Sequence, residues 1–128
     1  MLVQHMLKSD AQHVLVFLPN VTVLFYIYLY LFLVLIHAGS GGVGQSAINI
    51  CLSFDCEIFT TVGSEEKKQF ILNEFPQIKE DHIFNSRSTQ FELQVLAATN
   101  GRGVDIVLNS LADDKLKASL RCQKTEDF

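Results

Sequence analysis

The stretch that decides the fold is Leu33-Val34-Leu35-Ile36-His37-Ala38-Gly39-Ser40-Gly41-Gly42-Val43-Gly44. A short apolar, β-branched run that leads straight into glycines reads as a buried parallel strand followed by a turn. Gly39 to Gly44 spells G-x-G-x-x-G, and Val43 to Phe54 continues with apolar residues Val43, Ala47 and Ile50/Cys51 at helical spacing. A glycine-rich turn between a strand and a helix is the context in which this motif binds a dinucleotide. Gly41 and Gly42 leave backbone bare for a pyrophosphate, and Gly44 lets the helix sit close to the sheet. The freed N–H groups and the positive helix end favour phosphate.

Further along, the pattern repeats. Glu57–Val62 reads as a strand. Ser64 caps a helix that runs to about Phe75, with Glu65 and Glu66 in its first turn. His82–Asn85 is a short strand, Thr89–Ala98 a helix with Phe91, Val95 and Leu96 on one face, and Val104–Asn109 a fourth strand. Asp113 to about Arg121 is a fourth helix. This alternation predicts an α/β fold with a partial doubly wound parallel sheet, Rossmann-like, of about four βα units. Two domains of unequal kind follow: residues 1–33 as an apolar extension of unknown role, and 34–128 as the dinucleotide-binding domain, expected to be cut short at its C-terminal end.

The extension poses its own question. From Val14 to Ile36, 20 of 23 positions are apolar and none is charged. That length could span a bilayer, or belong to a signal peptide. Pro19-Asn20 interrupts it, its tyrosines are spread rather than gathered at interfaces, and its end overlaps the first strand. Membrane association is therefore not the favoured reading, and a cytoplasmic location is. Asn20-Val21-Thr22 matches a glycosylation sequon.

Charge and cysteine content exclude other classes. The chain of 128 residues carries a net charge of −4, with no basic cluster beyond Lys67-Lys68, so no nucleic-acid partner is expected. Cys51, Cys56 and Cys122 are an odd number without ligand spacing, which argues against a disulfide framework or a metal site. His5, His13, His37 and His82 are scattered, and each reads as structural or solvated. No catalytic acid, base or nucleophile can be named from spacing.

Cofactor choice is read at the end of the second strand. An NAD enzyme usually carries Asp or Glu there to accept from the ribose 2′-OH. This chain has Thr61-Val62-Gly63-Ser64, then Lys67. A hydroxyl and an ammonium suit the 2′-phosphate of NADPH, although Ser64 can equally be an N-cap and Lys67 a solvated helix residue.

The run Val34–Gln45 resembles the enoyl reductase domain of animal fatty acid synthase, within the medium-chain dehydrogenase/reductase superfamily. Val62–Lys67, Phe84–Arg87 and Gly103–Ala112 carry the same resemblance. Asn109-Ser110-Leu111-Ala112 is its narrowest part and is similar to enoyl reductases of fatty acid and polyketide synthases. The resemblance covers about 34–122. It implies NADPH-dependent reduction of an enoyl thioester on acyl carrier protein in fatty acid biosynthesis, without zinc, in a homodimeric parent synthase. By position it implies cofactor contacts at Gly39, Gly41, Gly42, Val43 and Gly44, at Ser64 and Lys67, more weakly at Ser86 and Arg87, and at Asn109 toward the nicotinamide. The family's proton donor would lie beyond this chain, so the domain is expected to be inactive alone. A stand-alone quinone-oxidoreductase-like protein and a non-catalytic nucleotide-binding or membrane-anchored module are the alternatives.

Overall fold

A computed structural model describes residues 13–16 and 33–124. In it a five-stranded, all-parallel sheet has the order β1-β5-β2-β3-β4. The strands are β1 (His13–Val16), β2 (Leu33–Ile36), β3 (Glu57–Val62), β4 (Ile83–Asn85) and β5 (Ile106–Asn109). The helices are α1 (Gly42–Ser53), α2 (Glu65–Glu74), α3 (Gln90–Ala98) and α4 (Asp113–Arg121), with a 3-10 turn at Glu80–His82 before β4. Strand order reverses between β2 and β5, the switch point where open α/β sheets bind ligands.

Alternation along the strands separates two cores. Val34 and Ile36 of β2, Ile58 and Val62 of β3, and Ile106 and Leu108 of β5 pack on one face with Ala47, Ile48 and Cys51 of α1 and Ile71 of α2. Leu35, Phe59, Phe84 and Val107 pack on the other with Phe91 and Val95 of α3 and Ala118 of α4. Helices on both faces make every central strand apolar on both sides. Glu57–Val62 is a strand over its whole expected length, and Ser64 caps α2 by accepting from Lys67 N–H at 3.2 Å.

The four expected βα units are all present. A further strand, β1, pairs with β5, Val14 opposite Val107 and Val16 opposite Asn109. A four-residue strand inside a longer apolar run has no bounding turn residues to betray it. Two narrower expectations need correction. Val43 is not part of the buried stripe of α1. It is 44% exposed in the first turn, and Gly44 and Ile48 complete the stripe with Ala47 and Cys51. The fourth strand is shorter than 104–109, since the chain bends at Asp105 and Val104 bridges to Gln123 instead.

Among the described residues no helix is long and apolar enough to cross a membrane. Most of the 14–36 run, the Asn20 sequon included, lies outside the described residues, as does 125–128.

Candidate functional site

The site is assembled at the carboxyl ends of β2, β3, β4 and β5. After β2 the chain turns through Ala38, a non-glycine residue in the left-handed region (φ 54°). Gly41 N–H donates to the Ala38 carbonyl at 3.0 Å, and Gly39 N–H donates to the Thr61 carbonyl of β3 at 3.2 Å. Gln45 Nε2 donates to the Ser40 carbonyl at 2.8 Å and holds the turn against α1. Two glycines are sterically required. A methyl group on Gly44 would strike the Ala38 carbonyl oxygen and stand 2.7 Å from Gly39 Cα, and one on Gly39 would strike Thr60 Oγ1. Thr60 cannot retreat easily, because its hydroxyl donates to the Ile36 carbonyl at 2.7 Å.

Gly41 and Gly42 are different. A methyl on Gly42 would meet nothing within 4 Å, and one on Gly41 only the Ala38 oxygen at 3.4 Å. They face open space at the start of α1. This helix has no side-chain cap and no acidic residue in its first turn. Its first backbone donation is from Gln45 N–H to the Gly41 carbonyl, which leaves the N–H groups of Gly42, Val43 and Gly44 without a partner among the described residues. Three free donors, bare backbone and the positive end of a helix fit a pyrophosphate.

The adjoining strand ends supply cations. Ser64 and Lys67 follow β3, and Ser86 and Arg87 follow β4. Ser86 N–H donates to the Val62 carbonyl at 2.9 Å, which draws the two ends together. A methyl on Gly63 would lie 3.8 Å from Arg87 Nε and 3.9 Å from Ser86 Oγ. Ser86 and Arg87 thus stand beside Gly63, and Ser64 follows it in the chain. Lys67 and Arg87 are exposed, and neither side chain has an acidic partner among the described residues, whereas the neighbouring Lys68 pairs with Glu80 at 3.5 Å. Ser64 Oγ accepts the Lys67 N–H as a cap and still has its own proton to give. Val62, by contrast, is buried in the core. The position where a ribose-binding carboxylate would reach solvent is Gly63.

Asn109 ends β5 and is buried. Its Nδ2 donates to the Leu111 carbonyl at 2.8 Å and its Oδ1 accepts the Leu111 N–H at 3.3 Å. The amide therefore shapes the Ser110-Leu111 turn beside the glycine loop, and its own contact with a cofactor would come second to that.

Of the two roles expected for His37, structural or solvated, its surroundings give the first. It is 2% exposed. Nδ1 lies 2.8 Å from Thr61 Oγ1, Nε2 lies 2.7 Å from Ser119 Oγ, and Phe91 meets the ring edge-on at 5.1 Å. Ser119 Oγ also lies 2.8 Å from the Lys115 carbonyl. With the serine proton directed there, the ring is assigned as the Nε2–H tautomer and Nδ1 accepts from Thr61. Burial lowers its pKa to about 4, so it is neutral at ordinary pH. It ties β2, β3 and α4 together directly behind the site. Nothing in the sequence spacing could have revealed this, since Thr61 and Ser119 are 24 and 82 residues away. Gly63, Thr60 and Gln45 were likewise missed, although Gly63 lay next to a residue already singled out.

The three cysteines are buried. A hydrogen bond with Cys56 raises the Cys51 pKa, with burial adding to it, and burial pushes Cys122 up to about 12. Cys51 and Cys122 stay protonated, which suits neither nucleophile nor metal ligand. No group of three His, Cys, Asp or Glu side chains that could hold a metal occurs among the described residues.

Residues 42–126 match the family profile described as zinc-binding dehydrogenase. A highly reducing polyketide synthase of Emericella nidulans is 55% identical over 84 residues, which are 66% of this chain and 3% of that protein. A second one, of Penicillium roqueforti, is 51% identical over 86 residues, 67% of this chain and 4% of that protein. The chain thus spans a few per cent of the length of the curated relatives it matches. Among solved structures, the nucleotide-binding subdomain of the PpsC enoylreductase domain from Mycobacterium tuberculosis has a TM-score of 0.64 at 36% identity, covering 70% of this chain and 48% of that one. The apo form of the JamJ enoyl reductase has a TM-score of 0.69 at 34% identity, covering 84% and 32%.

Proposed function

The chain belongs to the zinc-binding dehydrogenase family, and from that premise we propose that it is the NADPH-binding part of an enoyl reductase in a polyketide-type synthase. The relatives named above are polyketide synthases, and this favours a polyketide-type parent over the animal fatty acid synthase expected from the sequence. The family name notwithstanding, the donor set of the described residues does not fit zinc, and no step is assigned to a metal.

One observation carries the reading. Unpartnered N–H groups at the start of α1, and two exposed cations without an acidic partner among the described residues, Lys67 after β3 and Arg87 after β4, lie beyond the carboxyl edge of the sheet. Such an edge matches a dinucleotide with an extra phosphate. The N–H groups of Gly42, Val43 and Gly44 would hold the pyrophosphate. Ser64, Lys67, Ser86 and Arg87 would hold the 2′-phosphate, where charge-assisted hydrogen bonds are strongest. Asn109 would keep the Ser110-Leu111 turn in place toward the nicotinamide. When bound, NADPH would supply the hydride that reduces the double bond of an enoyl thioester on acyl carrier protein.

Titrating the purified chain with NADPH and with NADH, followed by nicotinamide fluorescence, tests the cofactor assignment. Tighter binding of NADPH, with the difference shrinking as salt is added, is the expected result. Equal affinity for both would remove the 2′-phosphate from the assignment.

A further inference from the structure

The face of the sheet toward α3 and α4 turns polar at its carboxyl end. Leu35 of β2 and Phe59 of β3 belong to the core there, and two residues on, the same face carries His37 and Thr61. Both are buried, at 2% and 0% exposure. Buried polar groups are costly unless bonded, and these are bonded. His37 Nδ1 accepts from Thr61 Oγ1 at 2.8 Å, and Nε2 donates to Ser119 Oγ of α4 at 2.7 Å. Phe91 of α3 packs against the ring. A side chain so enclosed touches no cofactor, so its effect on the site runs through the backbone.

That backbone is the entry to the glycine loop. His37 N–H donates to the Leu108 carbonyl of β5 at 3.1 Å, and Gly39 N–H donates to the Thr61 carbonyl at 3.2 Å. Between these two pinned residues stands Ala38, at φ 54°. A left-handed backbone is disfavoured for a residue with a Cβ and persists where its surroundings over-determine it. Here Thr61 holds both neighbours, His37 by its hydroxyl and Gly39 by its carbonyl. The Ala38 carbonyl in turn accepts Gly41 N–H at 3.0 Å and is the group a methyl on Gly44 would strike. The orientation of that one peptide therefore decides where α1 starts and where its first N–H groups point.

We propose that His37 is a positioning residue for the cofactor. Clamped between Thr61 and Ser119, its ring holds Ala38 in the left-handed turn and so aims the N–H groups of Gly42, Val43 and Gly44 at the pyrophosphate. This deepens the dinucleotide reading and rests on it. The pyrophosphate is common to both nicotinamide dinucleotides, so the clamp sets affinity for NADPH and NADH alike, in contrast to Lys67.

Nucleotide titration and amide hydrogen exchange on the full chain test this. Thr61→Val keeps the shape of the side chain and removes its hydroxyl, whereas Thr61→Ser keeps the hydroxyl and removes a methyl. With only about a tenth of the molecules holding the loop in its binding shape, Thr61→Val is expected to bind NADPH and NADH each about tenfold more weakly. Without nucleotide, its Gly39 and Gly41 amides are expected to exchange about tenfold faster. Thr61→Ser is expected to bind both as the unmodified chain does, even where it melts earlier. Normal binding by Thr61→Val, with Gly39 still protected, overturns the clamp and leaves the dinucleotide reading standing. Weakening of NADPH alone overturns it as well, and so does equal loss in Thr61→Val and Thr61→Ser, which would reduce the cluster to packing. An unmodified chain that binds neither nucleotide overturns the dinucleotide reading and this one with it. Should Thr61→Val fail to fold, Ser119→Ala, which frees the ring's other nitrogen, decides by the same two measurements.

Discussion

His37 and Lys67 illustrate how differently one residue can matter. His37 is neutral in the folded protein because burial lowers its pKa from 6.5 to about 4. A group whose pKa is depressed by folding stabilises fully above its unfolded value, and loses that contribution as pH falls toward the folded value. Unfolding free energy from urea titration is therefore expected to drop by about 2 kcal/mol between pH 7 and pH 5. His37→Gln should be less stable at pH 7 and should flatten this slope. An unchanged slope would assign it to other groups. Lys67 is exposed and contributes nothing visible to the fold. Its expected contribution is to the 2′-phosphate, about 1.5 kcal/mol, the lower end of the range for a charged hydrogen bond because the site is solvated. Lys67→Ala should then weaken NADPH binding about tenfold and spare NADH. Equal weakening of both cofactors would move Lys67 away from that phosphate. Gly63→Asp belongs to the same test. A carboxylate there has room, stands beside Arg87 and Ser86, and should shift preference toward NADH. The same change at buried Val62, the position the sequence alone points to, would mostly disrupt the core.

At the scale of the element, α1 separates glycines that hold the fold from glycines that leave room for a ligand. Gly44→Ala forces a methyl onto the Ala38 carbonyl, an overpacking expected to cost about 1–3 kcal/mol. Gly42→Ala meets nothing and replaces glycine by a better helix former, so thermal stability should hold or rise slightly. Both variants should lose NADPH affinity, Gly44→Ala by shifting the helix and Gly42→Ala by blocking the phosphate. Melting curves beside binding curves check this, and a Gly42→Ala protein that binds normally would place the pyrophosphate elsewhere. The helices themselves were legible from period and caps, because Ser64 and the glycine turn are local chemistry. β1 was not, since its partner β5 lies more than 90 residues away and its four residues are embedded in a uniformly apolar stretch. The convergence of Ser86 and Arg87 on Gly63 was legible only as a weak resemblance, because parallel pairing of β3 with β4, which brings them together, is a tertiary fact.

At the scale of the molecule, the described residues form a parallel sheet whose carboxyl end carries unpartnered N–H groups at the start of α1 and the exposed cations Lys67 and Arg87. Hydride transfer needs the acceptor carbon held about 3–3.5 Å from the donor, in line. No described side chain offers that hold on a thioester. The Asn109 amide is engaged with Leu111, His37 is buried and bonded on both nitrogens, and the thiols are buried. The exposed cations that follow β3 and β4, Lys67 and Arg87, are assigned to the 2′-phosphate in the proposed function, not to the substrate. The chain spans only 3–4% of the length of the relatives named above. The expected outcome is binding without turnover. NADPH fluorescence should report a complex, while NADPH absorbance in the presence of crotonyl thioester should decay no faster than in buffer. Lys67→Ala should reduce the fluorescence change and leave the absorbance trace as it was. Steady NADPH consumption by the purified 128-residue chain, lost in Lys67→Ala, would show instead that this edge of the sheet suffices for catalysis.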